Sequence, residues 1–450
     1  MTSNESSSGP GAAAAARKVT RRDVLRLGVM GAGGAAALAA AGPVRADART
    51  GRPRRPAKGK VTLNLWTWYT DQAQAWPQRI AEYEAGHPGV KIQNRIFGNL
   101  GDYTPPLEAA VSAGQAPDIF GPANLAITYA KGGVLANLTK LLGKSYLKQF
   151  FPSANAEYTY KGNQYGVGWE AQTFGLFYNP ALLEKAGVAV PETWDELIAT
   201  VEPIKKKAGV APLVLHAFPA NGASDFFMPL ITQVTNDPQY AIDLDLQLKG
   251  RKWTAKPVVE ALNWVQKITK SGAIESGSLS AQVADAERFF YQGTAAMLLL
   301  HSSVPHDLIV SAPPAFVKEY RVAKVPTIKK GARHWTGNQA GSGLGIYAHS
   351  PHVEQAVDFL KFLYQPKGYG ANMNLSNAMP ATKAAAPLVS NGIVKQMVSW
   401  LLQGDGCPHI LFGTEASEVG NAVVSILNGS AGPHQAAQRI QQAAEQSGGG

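Results

Sequence analysis

The side chains that could do chemistry in this chain are easier to exclude than to assemble. Nine histidines contain no H-E-x-x-H and no Cys/His pairing with zinc spacing. His301 and His306, five apart, are the nearest candidate pair and read as loop residues after a strand. The single cysteine, Cys407, reads as a small packing residue and cannot form an internal disulfide. Hydrolysis of a glycosidic bond needs two carboxylates facing each other about 5 to 9.5 Å apart; the sequence offers many carboxylates and no way to pair them. G-x-S-x-G, a strand-to-helix G-x-G-x-x-G and a P-loop lysine are all missing. These absences leave no positive case for an enzyme, a catalytic residue, a metal or a cofactor. A neutral, hydroxyl-rich ligand asks for other parts: flat aromatic faces, and Asn, Gln, Asp or Glu for its hydroxyls. Such parts stand where the first strand ends, at Trp66, Trp68 and Tyr69. Trp66 reads as core, and Trp68 or Tyr69 as facing a cleft, since ligands bind at the carboxyl ends of parallel strands in open α/β sheets.

The elements that must position these groups alternate between strand and helix. Val61 to Trp66 has the period of a strand, Asp71 onward that of a helix with Trp76, Ile80 and Tyr83 on one face, and Val90 to Phe97 that of a second strand. A helix around Leu107 to Ser112, a strand at Asp118 to Phe120 and a helix from Asn124 to Ala130 continue the pattern. It predicts β/α units and a largely parallel sheet. Later come a helix from Pro257 to Lys270 and strands at Val322 to Pro326 and Leu344 to Tyr347. A helix after Ser350-Pro351 ends at Pro366, and the sequence from about Ala384 is mostly helical. With 450 residues and 45% apolar content, the chain is long enough to divide into two lobes.

Trp169 to Leu197 is the most informative stretch. Thr173 to Tyr178 predicts a buried strand; Asn179-Pro180 starts a helix as N-cap and first turn, and Gly187 stops it. Thr193 and Glu196 form a capping box for a second helix, which Pro203 should kink or restart. The stretch resembles the extracellular solute-binding proteins of the family 1 sugar-binding type, to which maltose-binding protein belongs. So do G-Q-A-P-D-I-F (Gly114 to Phe120), G-G-V-L-A-N-L-T (Gly132 to Thr139), the helix-glycine-strand segment Glu287 to Leu298, A-V-D-F-L-K-F-L (Ala356 to Leu363) and A-M-P-A-T-K (Ala378 to Lys383). Their joint order and spacing carry the resemblance over nearly all of the chain from Val61.

The resemblance implies an α/β, two-lobed periplasmic-binding-protein fold with discontinuous lobes, a hinge and an interlobe ligand cleft. The N-terminal lobe would comprise 60–168 and 325–373, and the C-terminal lobe 169–324 and 374–447. Carried over position by position, it implies ligand contacts at Asn99, at Asn124 (which could equally be only a helix cap), and at Glu170 and Gln172 beside Trp169 and Thr173. It adds His301 and Ser302, then Trp335, Gly337, Asn338 and Gln339 in a glycine-rich loop, Asn377, and Phe412. The segment from His216 to Phe227 could close one end of the groove. The implied function is capture of a sugar or oligosaccharide by a monomeric, non-enzymatic receptor that closes about a hinge and delivers its ligand to an ABC permease. A receptor for another polar solute, such as a glycerol phosphate ester, and a secreted glycan-degrading enzyme are the competing readings. Clustered Arg or Lys in the cleft would favour an anion.

The formal charge of +10 does not indicate a nucleic-acid partner. Residues 1 to 60 hold twelve Lys and Arg against three acidic groups, and the other 390 residues hold 30 against 29. Thr20-Arg21-Arg22-Asp23-Val24-Leu25-Arg26, a Gly/Ala/Leu run from Leu27 to Ala41 and Ala46-Asp47-Ala48 fit a twin-arginine signal peptide over 1–48 with an A-x-A cleavage site. Residues 49–60 read as a disordered basic linker. No cysteine follows the leader, so a lipid anchor is not expected, and the protein should act in the cell envelope or outside the cell.

Overall fold

A computed structural model describes residues 60–245, 247–408 and 416–447. The signal peptide and all of the linker but Lys60 lie outside them, as does Phe412. The strands are β1 (Val61–Thr67), β2 (Val90–Ile96), β3 (Ile119–Phe120), β4 (Thr159–Tyr160), β5 (Asn163–Gln164), β6 (Gly166–Tyr178), β7 (Ala211–Val214), β8 (Ala295–His301), β9 (Arg321–Ala323), β10 (Thr336–Ile346) and β11 (Gly406–Pro408). One sheet runs in the order β2-β1-β3-β10-β6-β8-β7, with β11 against β10 and β9 against β6; β4 and β5 form a separate hairpin. The sheet is mixed rather than largely parallel. β1 pairs in parallel with β2 and β3, and β7 with β8, but β10 is antiparallel to β3 and β6, and β6 to β8 and β9. Every antiparallel pairing in this sheet involves β6 or β10, the two longest strands, which a β/α period does not reveal.

β6 joins the halves. Its residues 166–173 pair with β10 and its residues 174–178 with β8 and β9. On one side Leu63 and Leu65 of β1, Trp169 of β6 and Leu344 and Ile346 of β10 bury against Phe359, Leu360 and Leu363 of the helix Val353–Leu363. In the other half the strand alternation of β8 sends Met297 and Leu299 toward Trp194, Leu262, Val265 and Val423, and Leu298 and Leu300 to the opposite face. Phe97, Tyr103, Leu107, Phe120 and Tyr347 cover the remaining face of the first half.

Local signals hold where they were strongest. Asn179 Oδ1 accepts from the Ala181 and Leu182 amides, Gly187 takes a left-handed conformation at φ 71°, and both hydrogen bonds of the Thr193/Glu196 capping box form. The helix that follows breaks near Pro203 into a π-helical turn, Ile204–Ala208. Three expectations change. The helix expected around Leu107 starts at Leu100 despite Pro105 and Pro106, because Asn99 caps it by accepting from the Asp102 amide. Pro366 ends one helix and opens another, Pro366–Ser376. Trp66 is only half-buried, against Phe97 and beneath the Arg95 guanidinium at 5.2 Å.

Candidate functional site

Strand alternation through the first half of β6 separates packing from chemistry. Trp169 is fully buried, edge-on to Trp76, Tyr364 and Tyr369 at 5.3, 5.4 and 4.9 Å, and its carbonyl accepts from the Tyr369 hydroxyl. Its neighbours Glu170 and Gln172 line a cavity of about 230 Å³. The ends of several elements meet there: Trp68 to Asp71 after β1, Ser302 and Ser303 after β8, His306 and Asp307 on the helix Val304–Ser311, Ser342 of β10, and Ser376 to Met379. The last segment is tied to β6 by the Ala171 amide donating to the Met379 carbonyl at 3.0 Å. A wider depression of about 430 Å³, bordered by Lys148, Phe150, Gln164 and Lys383, gathers none of these strand ends.

The aromatic wall is held from behind. Trp68 is half-buried, with its ring 4.7 Å from Tyr69 and 4.8 Å from Tyr103. Tyr69 is buried; its hydroxyl donates to the Gly343 carbonyl at 2.5 Å and accepts from the Gly343 amide at 2.7 Å, clamping β10 to the end of β1. Gly121 is needed beside them, since a Cβ there would meet the Tyr69 hydroxyl at 2.6 Å and the Trp68 ring at 2.8 Å. A group of carboxyls shares the cavity with that wall. Gln72 Nε2 donates to Asp71 Oδ2 at 2.6 Å, to Glu170 Oε1 at 2.7 Å and to Ser376 Oγ at 2.9 Å. Burial, then the Asp71 charge and a hydrogen bond to Asp71, raise the Glu170 carboxyl well above the usual carboxylate range. Behind the cavity, burial and then the Asp307 charge push Glu287 up to about 9. Asp307 itself is raised, chiefly by burial, against the opposing help of Ser303 and His306.

Of the residues expected at the site, the cavity brings together Trp68, Tyr69, Glu170, Gln172, Ser302 and Asn377. Asn99 is elsewhere, exposed and capping its helix. His301 ends β8 with its ring 6.0 Å from that of His216, which bonds Asp225 at 3.0 Å. His306, read as a loop residue, is helical. Trp335 is buried rather than an open stacking face: its indole donates to Asn236 at 2.9 Å and Arg333 lies 4.1 Å over its ring. The glycine-rich loop expected at Gly337, Asn338 and Gln339 is strand, part of β10, with Asn338 opposite Thr173 and Gln339 opposite Gln172. The side chains of Asn124, Gly337, Asn338 and Gln339 lie outside the described residues. Nor is His216 to Phe227 all loop, since the helix Asn221–Thr235 begins inside it. Sequence reading missed Asp71, Ser303, Asp307, Ser342 and Ser376. Only Asp71 had a signal, its place just past the aromatic end of β1.

A cleft at strand ends, walled by an aromatic ring and hydroxyl-satisfying groups and joined by a strand shared between halves, suits capture of a polar solute. The sequence model of the bacterial extracellular solute-binding proteins matches residues 67–370. The chain belongs to that family. This solute-binding protein is 25% identical over 313 residues to a multiple sugar-binding protein of Streptococcus mutans, covering 68% of this chain and 71% of the other. Its fold matches the GacH receptor of Streptomyces glaucescens, solved unliganded and with acarbose, with TM-score 0.71 and 22% identity over 86% of this chain and 98% of that one. It also matches a cyclic α-maltosyl-1,6-maltose binding protein of Arthrobacter globiformis, with TM-score 0.73 and 20% identity over 86% and 99% of the two chains. The two-lobed fold of maltose-binding-protein-like receptors is therefore that of this chain.

Proposed function

We propose that this protein captures a sugar or oligosaccharide between its lobes by hinge closure and delivers it to an ABC permease. The observation that carries the reading is the cavity itself. Its lining joins Trp68 and Tyr69 to Asp71, Glu170, Gln172, Asp307 and Asn377, and includes neither Lys nor Arg. An aromatic face covers the apolar side of a pyranose while carboxyls and amides meet its hydroxyls. The same lining argues against a phosphate ester, which would require cationic partners. A glycan-degrading enzyme would need a turnover that a single carboxylate change abolishes, and the family consists of binding proteins.

The lobes in this reading are 60–168 with 325–373 and 169–324 with 374–447. The Glu170 to Met379 region, where β6 and the 378–380 segment run side by side, serves as part of the hinge. Ligand held from both sides favours the closed form by differential affinity, and that form is the one the permease reads. Export follows the twin-arginine route, on the strength of Arg21-Arg22 and the Ala46-Asp47-Ala48 site. Retention of precursor in the cytoplasm when both arginines are changed to lysine tests that step. A thermal-shift screen with sugars tests the capture itself: stabilisation by at least one saccharide is expected, and no stabilisation by any sugar contradicts it.

A further inference from the structure

Three carboxyls line this cleft, and no Lys or Arg lines it with them. Asp71, Glu170 and Asp307 line one cavity, and Glu287 stands hydrogen-bonded behind Asp307. None of the ion pairs among the described residues involves any of the four. His306 is the basic residue among those that line the cavity, and it draws the Asp307 carboxyl downward. A separate observation also points to an occupant: Ser342 Oγ lines the cavity from the β10 side, belongs to a side chain only 3% exposed, and has no hydrogen-bond partner. A buried hydroxyl is rarely left so in a native structure unless something else satisfies it. The cavity thus offers the unused Ser342 hydroxyl beside carboxyls that no Lys or Arg accompanies.

Resting on the capture reading above, we infer that the solute is a saccharide bearing a protonated amine, held with its ammonium between Asp71, Glu170 and Asp307. A hydroxyl can satisfy one carboxyl oxygen, but it leaves the mutual repulsion of the others in place. An ammonium offers three donors and removes that repulsion, so it interacts with the group as a whole. Burial and the neighbouring Asp71 charge raise the Glu170 and Asp307 carboxyls, and an ammonium between them would offset both effects.

Isothermal titration at neutral pH with matched pairs tests this: glucosamine with glucose, galactosamine with galactose, mannosamine with mannose, and glucosamine tetrasaccharide with cellotetraose. At least one amino member should bind tenfold or more tighter than its neutral partner. Asp307→Asn and Glu170→Gln, each checked for fold by circular dichroism, should reduce that preference to less than threefold. Equal or tighter binding of the neutral member in every pair that binds would overturn the inference and leave sugar capture standing. A preference that survives both variants would also overturn it, because the charge would then be read elsewhere. No binding by any saccharide would remove the capture reading and this inference with it. Binding of spermidine without any saccharide would likewise overturn the saccharide claim.

Discussion

Two neighbouring stretches of the chain, 166–173 and 179–197, are written in different physical languages. In the second, each signal is complete within a few residues: Asn179 bonds the amides two and three positions on, Gly187 supplies the left-handed turn, and Thr193 and Glu196 cap each other's backbone. These contacts add stability and line no part of the cavity. In the first, the residues that matter find their partners far away. Glu170 meets Gln72 and lies opposite Ser342; Ala171 bonds Met379; the Thr173 amide donates to Ser302. Glu170 is buried there with no Lys or Arg beside it, which works against folding. The comparison teaches that the recognisable region stabilises the lobe while the cavity-lining region gives up stability for placement.

Trp194→Ala should break the first half of that comparison most visibly. The indole is fully buried and donates to Gln233 at 3.2 Å, so its loss should cost about 3–5 kcal/mol in chemical denaturation, while the molecules still folded bind with unchanged affinity. Glu287 probes the opposite half. Its unfolded carboxyl ionises near pH 4.5, whereas the folded one keeps its proton up to about 9, so the folded state binds more protons in between and stability should fall as pH rises across that window. Glu287→Gln should reduce this slope, to which Glu170 and Asp307 also contribute, and gain about 2–3 kcal/mol at pH 8 relative to the parent, read from urea midpoints; an unreduced slope would show that burial there is not the cause.

Smaller effects sharpen the division. Glu170→Gln should leave the melting temperature unchanged or higher and weaken ligand binding by about 1.5–3 kcal/mol, the range of a hydrogen bond to a charged or strongly polarised group, measured by titration calorimetry. Thr193→Ala should cost about 1 kcal/mol of stability through the lost cap and nothing in affinity.

The sequence made the alternating elements legible because helix caps and strand periods are short-range codes. It also placed Trp68, Tyr69, Glu170, Gln172, Ser302 and Asn377, which the cavity gathers. It did not reveal that β10 begins at Thr336, since Gly337, Gly341 and Gly343 look like loop until an antiparallel partner is available. Gly343 is small for a reason no local pattern contains: a Cβ there would enter the Tyr158 ring, and its backbone receives the Tyr69 hydroxyl. Asp307 and Ser342 escaped notice for the same cause. Each becomes a site residue only through a wall built from β1, β6 and the 376–379 segment.

The central claim is that Glu170 lies where solute closes the lobes. Small-angle scattering of the parent and of Glu170→Gln, each with the saccharide that most stabilises the parent, tests it most directly. The expected result is a decrease in the radius of gyration of the parent at a ligand concentration that leaves the variant unchanged. Equal compaction of both proteins at that concentration would contradict the account.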